Sequence, residues 1–144
     1  MLTINTYNYG NNDEPLIISP KLLSYYREEC DVYLVDIKRQ LTRSLVDYRI
    51  FQKLQDVYNY YYVIIRKLEE QEYTNLNDIA DDKKILHALM TELQKECKPA
   101  VSTDIYDDVT SNCNKVMLTL IKLIQIIKTV NTDNDDTMFK GVYY

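Results

Sequence analysis

The chain has 144 residues, the usual size of one domain, so two independent cores are not expected. An apolar share of 46% and a charged share of 27% place it with globular rather than disordered proteins. Its 17 basic and 22 acidic residues leave a net charge of −5, which weighs against a general coat for DNA or RNA.

Glycine and proline are nearly absent: Gly10, Gly141, Pro15, Pro20 and Pro99 are all there are. Sheets need tight turns that these residues usually supply, so the sequence predicts an all-α fold of about four main helices. Cys30, Cys97 and Cys113 form no Cys-x-x-Cys pair and read as buried free thiols of a reducing compartment. Residues 1–9 have neither a basic head nor an apolar core, so no secretory leader is expected. An intracellular location, cytoplasm or nucleus, follows as the expectation. Abundant Ile, Asn, Asp, Lys and Tyr match AT-rich coding, as in many large DNA viruses or some unicellular organisms.

In chain order, residues 1–19 read as a flexible arm, with turn chemistry at Gly10-Asn-Asn-Asp-Glu-Pro15. Ser19-Pro20 is a helix start, a capping hydroxyl followed by a proline at the first helical position. Leu23, Cys30, Ile37, Phe51, Tyr58 and Ile65 then share one heptad phase, joined by Tyr26, Tyr33, Leu34, Leu41, Tyr48, Leu54, Tyr61, Tyr62 and Leu68. A single helix from Pro20 to Gln71 would be about 78 Å long. A globule of this chain length is only about 37 Å across. The sequence therefore predicts a break near Thr42–Leu45, where Ser44 falls out of phase and Ser44-Leu-Val-Asp47 resembles a capping box.

A third helix is expected from Asn75–Asp78 to Cys97, with Ile79, Leu86, Leu89, Met90, Leu93 and Cys97 inward. Asp81 and Asp82 fall in its first turns, where the helix dipole favours exposed acids. The short link Lys98–Ser102 predicts an antiparallel fourth helix, from about Thr103 to Val130. Its inward face is Val116, Leu120, Leu123, Ile124, Ile127 and Val130. Leu118 and Ile121 fall among Thr119, Lys122, Gln125 and Thr129 on the other side. Either this helix is buried most of the way round, or these two extend an apolar surface toward a partner. Residues 131–144 read as an acidic flexible tail with an apolar tip at Phe139. The expected organisation is an arm (1–19), a helical bundle (20–130) and a tail (131–144).

Catalytic signals are weak. His87 is the lone histidine, too few for a histidine metal site or a di-iron bundle, and no phosphate-binding loop or nucleophile elbow occurs. A Cys–His pairing of His87 with Cys97 or Cys113 has no spacing to recommend it. Adjacent acids such as Glu28-Glu29 and Asp107-Asp108 point about 100° apart on a helix and do not make a dyad. No enzyme, metal or cofactor is expected, and the apolar run of the fourth helix is too short to span a bilayer.

Two features suggest binding. Lys38, Arg39, Arg43, Arg49 and Lys53, opposed locally only by Asp47, would form one basic stripe if the helix were continuous, which suits phosphate contact. Tyr58-Asn-Tyr-Tyr-Tyr62 puts four rings within five residues, and tyrosine favours protein interfaces. Met117-Leu-Thr-Leu and Thr137-Met-Phe, within Val116–Val142, resemble the central helix region of poxviral Bcl-2-like proteins. That resemblance implies helix-in-groove binding and modulation of host signalling. It covers under a fifth of the chain, and the further helices that follow the central one in that family have no counterpart here.

The reading is a non-catalytic protein–protein interaction module: an adaptor, inhibitor or complex subunit. Its expected contacts are Tyr60, Tyr61, Leu118, Ile121 and Phe139, and its expected partner is another protein or a second copy. The alternatives are a nucleic-acid-associated subunit using the basic stripe, and a structural oligomeric subunit.

Overall fold

Ser19 starts the first helix, its Oγ accepting from Leu22 N at 3.3 Å with Pro20 following. The computed structural model describes residues 14–140, with side chains through Thr132. Among these residues are four helices: α1 (Pro20–Arg43), α2 (Tyr48–Glu69), α3 (Leu76–Cys97) and α4 (Thr103–Lys140). The expected all-α bundle is the fold. Short links make sequential helices antiparallel neighbours, and α1 closes the ring against α4. The α1–α4 and α2–α3 seams are the most extensive, and α1–α2 is the sparsest.

The break between α1 and α2 falls where expected, by a different mechanism. Ser44 belongs to the end of α1, its N–H and Oγ both donating to Gln40 O. Leu45 then turns left-handed (φ 53°), and Asp47 is the cap of α2, accepting from Arg49 N at 2.8 Å. The turn resets the heptad phase. The core of α2 is Ile50, Leu54, Val57, Tyr61, Ile64, Ile65 and Leu68, so the expected Ile65 is inward, while Phe51 and Tyr58 are half-buried and Tyr48 is exposed. Gln71 (φ 55°) ends α2 the same way, with Gln71 N bonded to Leu68 O and Glu72 N to Lys67 O.

Asn75 caps α3, accepting from Asp78 N at 2.9 Å, and α3 ends at Cys97. On α4, Val116, Leu120, Leu123 and Ile127 are buried and Val130 is exposed. Thr119, expected to face solvent, is buried against α1, 3.2 Å from Glu29 Oε1. Gln40–Asp108, Asn112–Asp36 and Thr119–Glu29 step backward along α1 as they advance along α4, which marks the antiparallel register.

The backbone of α4 continues helical beyond Val130, because no proline or glycine intervenes before Gly141. Asn131 Nδ2 donates to Ile127 O at 2.7 Å and Thr132 Oγ1 to Lys128 O at 2.7 Å. Asn131 also clamps the chain ahead of α1, accepting from Ile17 N at 2.9 Å and donating to Ile17 O at 3.0 Å. Leu16 N donates to Tyr73 O and Ile18 is buried, so residues 16–18 are stitched across one end of the bundle, between the α2–α3 link and α4. Residues 1–13 and 141–144 lie outside the described residues, as does the side chain of Phe139.

Candidate interaction surface

Helix geometry sends Tyr60, Tyr61 and Tyr62 in three directions about 100° apart. Tyr61 points inward and is fully buried, its hydroxyl 3.3 Å from both Arg27 O and Asp31 Oδ1. Burial, then the neighbouring Cys30 and Asp31, pushes that phenol far above its ordinary range. Tyr60 turns toward α3 and donates to Asp82 Oδ1 at 2.6 Å. Tyr62, at 44% exposed, is the ring left on the surface. Of the two tyrosines expected as contacts, Tyr61 is therefore buried, and Tyr60 is half-buried with its hydroxyl engaged by Asp82.

Tyr60 belongs to a polar lock that the sequence reading missed. Asp82 is only 9% exposed, and its Oδ2 accepts from Tyr73 Oη at 2.7 Å and Lys67 Nζ at 3.2 Å. Burial alone would raise its pKa. The bonds from Tyr60, Tyr73 and Lys67 outweigh burial and hold the carboxyl below the usual carboxylate range. Burial, then the bond to Asp82, pushes Tyr60 up to about 12 and Tyr73 higher still. The lock ties α2, the α2–α3 link and α3 together, with both carboxylate oxygens satisfied.

The sequence did carry a signal for it. Asp82 sits in phase with Ile79 and Leu86, so the apolar face of α3 contains one acid.

The basic stripe does not form. Arg49 and Lys53 lie on the α3 side of α2, at 3.8 Å from Glu96 and 3.9 Å from Glu92. Arg39 stays on α1 and bonds Asp36 at 2.8 Å, while Lys38 and Arg43 are exposed there. The turn at 44–47 separates the two sets, since it removes the continuous helix that would have aligned them.

The opposite flank of α2 lines an open groove against α1. Val35, Lys38, Phe51, Leu54, Tyr58 and Tyr62 enclose about 380 Å³, with the Tyr58 and Tyr62 rings 6.1 Å apart. Burial, then the neighbouring Tyr62 and Asp31, pushes Tyr58 up to about 12, so the Tyr58 phenol is a neutral donor at physiological pH. On α4, Leu118 is 57% and Ile121 36% exposed, one helical turn apart. The groove and the Leu118–Ile121 patch sit on different helices and do not merge.

The remaining chemistry is quiet. Cys30, Cys97 and Cys113 are free and buried. Burial raises Cys30 and Cys113 to about 12 and Cys97 to about 11, so the nucleophilic thiolate is suppressed, and His87 lies exposed on α3. Among the described residues no three His, Cys, Asp or Glu side chains converge as a metal would need. Among them, too, no helix is long and apolar enough to cross a membrane.

The class defined is a four-helix bundle with a buried acid lock on one flank of α2 and an aromatic groove on the other. No family model, curated protein or solved structure matches the chain.

Proposed function

We propose that this chain is a non-catalytic protein-binding module, an adaptor, inhibitor or subunit of a complex. The observation that carries the reading is the pair Leu118 and Ile121, apolar side chains left exposed one turn apart on the outer face of α4. Aromatic Tyr58 and Tyr62 in the α1–α2 groove add the residue type that interface cores favour. A cytoplasmic or nuclear setting suits the three buried thiols.

The test is affinity capture of the tagged chain from its native cells, with and without nuclease, beside a Leu118→Glu/Ile121→Glu variant. A defined protein that survives nuclease and is lost with the variant is the expected result. A folded variant that captures the same set overturns the reading. Nucleic-acid binding ranks second, because Arg39, Arg49 and Lys53 already face carboxylates. It would show as retention that falls steeply with salt.

A further inference from the structure

The solvent face of α1 carries a second periodic stripe that the bundle does not use. Tyr25, Glu28, Val32, Val35, Arg39 and Thr42 recur at alternating spacings of three and four, and all six are exposed. Tyr25 is 59%, Val32 64% and Val35 50% exposed, so three large apolar groups lie in one line on the outer face. Such a repeat is the seam a helix presents to another helix.

Its order is an inverted repeat in chemical type: acid, valine, valine, base. Laid antiparallel on a copy of itself about a two-fold axis between Val32 and Val35, each Glu28 meets an Arg39 and each Val32 meets a Val35. Tyr25 then meets Thr42. A parallel alignment would set Glu28 against Glu28 and Arg39 against Arg39, so the charges select one orientation. A two-fold interface requires this self-complementarity, with residue i meeting j and j meeting i.

We infer that α1 is the self-association face of this protein, pairing antiparallel with α1 of a second copy through Val32 and Val35, with Glu28–Arg39 pairs at both ends. Arg39 keeps Asp36 at 2.8 Å while its remaining guanidinium donors are free for the partner's Glu28. The stripe is about 26 Å long at 1.5 Å per residue. Alone it falls short of the roughly 800 Å² per partner of a stable complex. The half-exposed groove rings Tyr58 and Tyr62 beside Val35 widen the contact, and the dimer is weak and concentration-dependent. The apolar pairs supply most of the attraction and the ion pairs set the orientation.

This goes beyond the module reading and stands on a different helix from Leu118 and Ile121, so either can fail alone. The experiment is sedimentation equilibrium of the full chain across the micromolar range, for the parent, Glu28→Arg, Arg39→Glu, the double swap and Val32→Asp. A reversible dimer is expected. Each single reversal places two like-charge pairs across the axis and weakens the dimer about tenfold or more. The double swap restores it to within about threefold, since the pairs re-form with exchanged signs. Val32→Asp abolishes it while helicity is kept. A chain that stays monomeric throughout overturns the inference. So does a dimer indifferent to the single reversals, or one that the double swap fails to rescue. A heterologous helix that occupies the stripe of a purely monomeric chain overturns it as well.

Discussion

The two flanks of α2 are built from similar residues and do opposite things. Toward α3, Arg49, Lys53, Tyr60 and Lys67 each meet a carboxylate, and the seam is extensive. Toward α1, Phe51, Tyr58 and Tyr62 line an open groove and the seam is sparse. Tyrosine is common to both flanks. What differs is the partner: a buried acid turns Tyr60 and Tyr73 into an internal lock, whereas the same ring without one stays available at the surface. Local composition therefore does not decide whether an aromatic cluster is core, lock or surface; the facing helix does.

The sharpest way to break this contrast is at its centre. Tyr61 is fully buried between the flanks, so Tyr61→Ala should destabilise the fold by about 4 kcal/mol, read by urea unfolding. Next comes the lock. Asp82→Asn should cost about 2–3 kcal/mol, because an ionised acceptor of three hydrogen bonds is replaced by a neutral amide.

The pH dependence has a definite sign. The folded carboxyl of Asp82 titrates below its unfolded value of about 3.9. Its contribution is therefore complete above that value and is lost as the pH falls through the lower folded one. The parent should lose stability in that window, and Asp82→Asn should flatten the loss, in thermal melts taken from neutral pH downward.

Smaller effects sharpen the picture. Leu45 and Gln71 occupy left-handed positions that cost a non-glycine residue about 1 kcal/mol, so Leu45→Gly or Gln71→Gly should each raise stability by up to that amount. Leu45 is 89% exposed, so little packing is lost in exchange. On the open flank, Tyr62→Ser should change stability by no more than about 0.5 kcal/mol, where Tyr60→Phe, which removes a donor to Asp82, should cost about 1 kcal/mol or more.

The helices were legible because their signals are local. Proline and the capping side chains sit where α1 begins, and the inward face of α3 follows the apolar period from Ile79 to Cys97. The break was legible from length alone, since a 78 Å rod does not fit a globule of about 37 Å. Its mechanism was hidden, because nothing local says that leucine rather than glycine will turn left-handed. That turn also moved Tyr48 out of the core and scattered the basic stripe. Asp82 was misread for a related reason. The pair Asp81-Asp82 looks like two solvated charges near a helix start, and only the phase of Asp82 with Leu86 separates them. The partners that make its burial tolerable, Tyr60 and Lys67, lie on another helix.

The contrast between the flanks is tested most directly by solution footprinting of the tyrosines, with hydroxyl radicals followed by residue-level mass spectrometry. On α2, Tyr48 and Tyr62 should be modified fastest and Tyr60 slowly, as should Tyr73 in the adjoining link, and Tyr61 only on unfolding. Equal rates at Tyr60, Tyr61 and Tyr62 in the folded protein would contradict the account, because no arrangement of α2 with one sealed flank and one open flank could produce them.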